Sequence, residues 1–155
     1  IIVLLSTVCG ALALSAQTTV SLDGFQSDPE ASVEMLADRL TVSQKDGAVR
    51  FEGNVVIAQG DIRLSADLVD VTYLEAGGIG RLSASGSVLL VSPSDTAQAD
   101  SAVYDFSARE LRMRGNVLLN QGAISLSADL LTIDLETGGA VMEGRVRTVL
   151  PSGSK

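Results

Sequence analysis

From Val33 to Leu135 apolar and polar side chains alternate with a period of two, the mark of strands that bury one face. One apolar set runs through Val49, Phe51, Val55 and Ile57, and a second through Ile62 and Leu64. Further sets are Val69, Val71 and Tyr73; Val88 and Leu90; Ala102, Tyr104 and Phe106; and Leu111, Met113, Val117 and Leu119. Ile124 and Leu126, then Leu131, Ile133 and Leu135, complete the series. Their sequence neighbours are polar or charged: Arg50, Glu52, Arg63, Asp70, Thr72, Asp105, Arg112, Arg114 and Asp134. No stretch has a convincing 3.6-residue period. The pattern predicts an all-β protein.

The strands recur in copies. Ala-Asp occurs at Ala37-Asp38, Ala66-Asp67, Ala99-Asp100 and Ala128-Asp129, at offsets of 29, 33 and 29 residues. Each is followed by Gly-x-Val: Gly53-Asn54-Val55, Gly86-Ser87-Val88, Gly115-Asn116-Val117 and Gly144-Arg145-Val146. Residues 60–68 and 122–130 share the frame Gly-x-Ile-x-Leu-Ser-Ala-Asp-Leu. About four similar units therefore stack side by side.

The apolar parity slips at Ala-Asp: Ile62, Leu64 and Ala66 share one phase, Val69, Val71 and Tyr73 the other. Both sets can face one side only if the strand bends or bulges between them. Ala-Asp is therefore read as a corner, with Asp bonding nearby backbone N–H groups, and each Gly as a second bend. Lys45-Asp46-Gly47, Gln59-Gly60-Asp61, Glu75 to Gly78, Gln121-Gly122 and Thr137 to Gly139 read as turns. The product is an antiparallel sheet folded over on itself, apolar inside. Its first strand, about Ser32 to Leu36, and its last, about Arg145 to Leu150, are expected to be unpaired edges that recruit further strands. Head-to-tail pairing through them would build an open filament.

Composition narrows the chemistry. Hydrophobic residues make up 46% of the 155 and aromatics 3%, so the apolar surface is aliphatic. A net charge of −8 without a basic cluster speaks against a nucleic-acid partner. Histidine is absent, which removes the commonest general base and metal ligand. With the single cysteine Cys9 there is no internal disulfide and no Cys-based zinc site. An Asp repeated in every unit is a structural cap rather than an acid or ligand. No catalytic residue, metal site or cofactor is expected.

Residues 1–16, ending Ser15-Ala16, carry no charge and are short for a membrane span. They read as a signal peptide cleaved near Ala16, placing the mature chain in the periplasm. Residues 17–31 are expected to be a flexible, unpaired N-terminal segment, and 152–155 a C-terminal tail.

Ala-Asp-x-Leu/Val, Gly-Asn-Val and Gly-Asp-x-x-Leu-x-Ala-Asp, repeated in register, resemble the OstA-like family of lipopolysaccharide transport proteins, in its soluble periplasmic LptA-like branch. The likeness spans about Val33 to Leu150. It implies a V-shaped β-jellyroll over 32–151 that carries lipopolysaccharide from inner to outer membrane, with lipid A acyl chains in its apolar core. It also implies stacking between LptC-like inner-membrane and LptD-like outer-membrane partners. Candidate lipid-binding residues are Val49, Phe51, Val55, Ile57, Ile62, Leu64, Val69, Val71, Tyr73, Val88, Leu90, Tyr104, Phe106, Leu111, Met113, Val117, Leu119, Ile124, Leu126, Leu131 and Ile133. Each could equally be ordinary core, and the large rings could plug the groove rather than line it. Two rival readings are a membrane-anchored LptC-like component of the same pathway and a structural β-solenoid with a closed core.

Overall fold

A computed structural model describes residues 18–26, 28 and 30–153; the expected signal peptide lies outside them. Among these residues the strands are β1 (Thr18–Ser21), β2 (Val33–Leu36), β3 (Arg39–Val42), β4 (Val49–Gln59), β5 (Ile62–Tyr73) and β6 (Ile79–Val91). They continue with β7 (Asp95–Asp105), β8 (Glu110–Gln121), β9 (Ile124–Asp134), β10 (Gly139–Glu143) and β11 (Arg147–Val149). All join one antiparallel sheet in the order β1-β10-β9-β8-β7-β6-β5-β4-β2, with β3 beside β4 and β11 beside β9. The fold is all-β, as the alternation predicts, and is the β-jellyroll that the resemblance implies.

Ala-Asp and Gly-x do not make two bends. They are the two sides of one corner, standing next to each other on neighbouring strands. In β4 and β5 the pairing runs Glu52 to Leu68 and then Val55 to Ala66. Gly53 and Asn54 thus face the single residue Asp67. The same two-against-one mismatch recurs where Gly86-Ser87 faces Asp100 and where Gly115-Asn116 faces Asp129. The extra residue belongs to the Gly strand, whose two corner residues are both left-handed, for example Gly115 at φ 78° and Asn116 at φ 48°.

The opposite flank of each Gly carries the Asp that precedes it in sequence. A Cβ on Gly115 would overlap Asp100 Oδ2. Asn116 Nδ2 donates to Asp100 Oδ2 at 2.8 Å, and Asn54 Nδ2 to Asp38 Oδ2 at 2.8 Å. These carboxylates therefore meet side-chain amides, where backbone N–H partners were expected. Asn suits the site because it tolerates a positive φ and carries a short donor. At Arg145, φ 48°, the guanidinium takes over: Nε lies 3.0 Å from Asp129 Oδ1. That contact holds the Asp129 carboxyl below its ordinary value and raises Arg145.

The corner row divides the sheet into two wings. The first holds β2, residues 55–59, 62–66, 88–91, 95–99, 117–121 and 124–128, and β11. The second holds β3, residues 49–52, 68–73, 79–85, 101–105, 110–114 and 130–134, β10 and β1. Their facing sides form a single apolar cluster. Outside lie exposed ion pairs: Arg50–Asp70 at 2.7 Å, Arg81–Asp105 at 3.4 Å and Arg112–Glu110 at 2.6 Å. Such pairs add little stability.

Two expectations are corrected. Segment 17–31 is not unpaired: Thr19, Val20 and Ser21 pair with Val141, Ala140 and Gly139, and Leu22 and Phe25 are fully buried. Alternating Ala140 and Met142 give β10 a buried face, and its open edge accepts the chain's own first strand. The outer side of β10 is therefore taken by β1, and the open borders at this end of the sheet are those of β1 and β11, opposite the border formed by β2 and β3. Tyr73 is not inside either. The register shifts between Thr72 and Tyr73, opposite Gly80, and the ring turns outward, 49% exposed.

Replacing Gly115 by Ala should cost about 2 kcal/mol or more in urea unfolding, combining left-handed strain with an overlap. Gly122→Ala has the same kind of backbone (φ 57°) but open space around the new Cβ, and should cost about 1 kcal/mol. Equal losses would show that the Asp contact does not shape the corner. Asp129, Asp105 and Asp134 are held below 3.8, by the Arg145 contact, by the Ala108 N–H and by the Thr137 and Glu136 N–H groups respectively. Their contribution is therefore complete above that value and is lost as pH falls through their lower folded values. Urea midpoints should stay level from about pH 8 to pH 5 and decline as pH falls past the ordinary carboxylate range; a decline already complete at pH 5 would refute this.

Candidate functional site

An apolar slot lies between the wings. It is lined by Ile57, Gln59, Ile62, Leu64 and Leu90 from the first wing and by Leu82, Ala84, Ala102, Tyr104, Leu111 and Leu135 from the second. Its free volume is about 50 Å³, room for a few water molecules at ~10–15 Å³ each. The wings are thus nearly in contact. Ile62, Leu64, Tyr104 and Phe106 remain partly exposed, so the slot reaches solvent toward β4 and β5. Tyr104 and Phe106 stack there, their ring centroids 4.1 Å apart.

Six of the expected lining residues meet in the slot: Ile57, Ile62, Leu64, Leu90, Tyr104 and Leu111. Val49, Val55, Val69, Val71, Val88, Met113, Val117, Leu119, Leu126, Leu131 and Ile133 are buried in the packed interior. Phe51, Phe106 and Ile124 are partly buried against it. The alternation identifies the inner face correctly, but it carries no information about how far apart the wings stand.

Leu82, Ala84 and Ala102 also line the slot and obey the same period. Gln59 does too, and its amide donates to the carbonyl oxygens of Asp28 and Ala31, each at 3.3 Å. Leu22 and Phe25 had no strand period to reveal them. Leu22 precedes and Phe25 ends a single 3-10 turn, Asp23–Phe25, and burying each is worth roughly 1.5–3 kcal/mol.

These two side chains are buried in the interior beneath a segment that runs along the wing tips. There the chain bonds the tips of both wings. On the second wing, Leu22 N–H donates to Gly138 O at 2.6 Å and Gln26 Nε2 to Thr137 O at 2.9 Å. On the first, Gln121 Nε2 donates to Ser21 O at 3.1 Å. Gly24 lies directly against the Ser92–Asp95 turn, where a Cβ would overlap Ser94 Oγ and come within 2.7 Å of Asp95 Oδ2. Asp95 is 2% exposed, and its Oδ1 is buried with no hydrogen-bond partner among the described residues.

Large exposed apolar side chains gather mainly at the sheet borders. Leu36, Leu40 and Val42 stand on the β2–β3 edge, and Val149 and Leu150 at β11. Among the described residues no group of His, Cys, Asp or Glu could hold a metal ion, and no helix is long and apolar enough to cross a membrane. The site therefore offers aliphatic surface and open strand edges.

Comparison with known proteins agrees with this geometry. A crystal structure of LptH, described as the LptA homologous periplasmic component of the conserved lipopolysaccharide transport device from Pseudomonas aeruginosa, matches with a TM-score of 0.71. That match covers 81% of this chain and 99% of LptH at 16% identity, and it shows a shared fold. Uncharacterized protein R00383 from Rhizobium meliloti (strain 1021) is 25% identical over 162 residues, covering 97% of this chain and 87% of its own length. The family model described as LptA/(LptD N-terminal domain) LPS transport protein matches residues 34–139. With most of its jellyroll inside that match, the chain belongs to the LptA/LptD N-terminal-domain family of lipopolysaccharide transport proteins.

Proposed function

We propose that this chain is a non-enzymatic periplasmic carrier that passes lipopolysaccharide from the inner to the outer membrane as one element of a protein bridge. The observation that carries this reading is the slot: an all-but-unbroken aliphatic surface between two wings, open to solvent at one side. A lipid tail of about twelve carbons exposed to water costs on the order of 10 kcal/mol, at ~0.8 kcal/mol per methylene. Aliphatic walls remove that cost without fixing one pose, which suits a cargo that must slide. Polar groups at the mouth, Gln59 among them, leave sugars and phosphates in water.

A slot of about 50 Å³ does not hold such a tail. Loading therefore spreads the wings about the corner row, and the acyl chains take over contacts that the facing side chains make with one another. The exposed edges supply the bridge. Strand addition to the free β2–β3 edge and to β11 would join copies head to tail, or join them to LptC-like and LptD-like partners at the two ends, as the same physics of unpaired backbone groups favours.

A photo-crosslinking side chain at Ile57, on the slot wall, should capture lipopolysaccharide. The same probe at Arg63, on the outer face of the neighbouring strand, should capture none. Equal capture from both positions, or none from Ile57 under saturating lipid, would refute carriage between the wings.

A further inference from the structure

We propose that residues 18–26 form a displaceable strap that closes one end of the interior and, in the same position, covers the edge strand to which a further strand would pair. This rests on the carriage reading above and extends it to how loading is controlled.

The strap has a geometry suited to closure. Leu22 and Gln26 bond Gly138 and Thr137 at the tip of the second wing, while Ser21 accepts a bond from Gln121 at the tip of the first. Gly24 lies against the Ser92–Asp95 turn, also on the first wing. One short segment thus ties the two wing tips together. Spreading the wings at this end requires that these bonds part. Leu22 and Phe25, both fully buried, occupy the space between the wings that an acyl chain would need.

Its second role follows from register. Thr18 to Ser21 pair antiparallel with Met142 to Gly139, on the side of β10 that faces away from β9. That side is the only outward-facing hydrogen-bonding edge of β10. An incoming strand that continued its pairing from β11 onto β10 would have to occupy the same groups. Strap and incoming strand exclude each other, so release of the strap opens the interior and completes the docking edge together.

The closed position is held against an opposing cost. Among the described residues Asp95 Oδ1 is buried without a hydrogen-bond partner beneath the strap, and a buried carboxyl oxygen with no hydrogen bond is unfavourable. Opening returns it to water. Apolar anchoring and a polar penalty at one contact point describe an element with two accessible positions rather than a permanent plug.

The test locks the strap covalently. Thr19 and Val141 are direct cross-strand partners, so Thr19→Cys/Val141→Cys in the full chain with Cys9→Ser gives a disulfide that a reductant removes. Uptake of lipopolysaccharide and self-association are measured on the oxidised and reduced forms of the same preparation, which controls for folding. Uptake and association are expected to fall at least ten-fold on oxidation and to recover on reduction. Equal uptake by the locked and reduced forms overturns the strap while leaving carriage intact. Failure of the reduced form to take up lipid overturns carriage and the strap together.

Discussion

The long strands β4 to β9 each cross one line of side chains, and along that line neighbouring strands disagree in length. Two residues of the Gly strand face one Asp. The mismatch is absorbed by consecutive left-handed residues, and the Asp on the opposite flank packs against the Gly where a Cβ would fit only with overlap. Repeated from β2 to β10, these local clashes and bonds form a continuous corner. Because the corner is at the same place in every strand, the sheet has two wings instead of a random twist. The apolar faces of those wings can then be buried only against each other.

That arrangement fixes what the interior can do. A sheet closed into a barrel would have no edges. Here, among the described residues, no strand pairing joins the wing tips, so side-chain packing and the N-terminal strap hold the facing sides together. Packing of aliphatic side chains is non-directional and is readily replaced by packing against lipid tails of the same chemistry. The cost of opening is offset by what enters. The same openness leaves the β2–β3 edge and β11 with unpaired backbone groups, so cargo binding and strand addition stem from one feature of the fold.

Much of this was written in the chain. Period-two alternation located the inner face, from Val49 through Ile133, and the Ala-Asp repeat located the corner. The alternation could not show that Ala66-Asp67 and Gly53-Asn54 lie on the same line, because that depends on which residues pair across strands. It also could not anticipate Tyr73. Its inward parity is cancelled by a register shift opposite Gly80, a feature of the partner strand. The N-terminal segment escapes the pattern for a related reason: Leu22 and Phe25 are three apart around a tight turn, and neither strand nor helix period marks them. Their role is set by the gap they fill. The slot's width, finally, is a distance between wings that no sequence pattern encodes.

The account depends on wings that part at the corner to admit acyl chains. Spin labels at Arg63 and Thr72 sit on the outer face of β5, one on each side of Asp67, and their separation reports the angle between the wings. Measured by pulsed electron–electron resonance, that distance should shift to a new, distinct value when lipopolysaccharide saturates the protein. An unchanged distance distribution with lipid demonstrably bound would contradict the account, because the cargo would then be held somewhere other than between the wings.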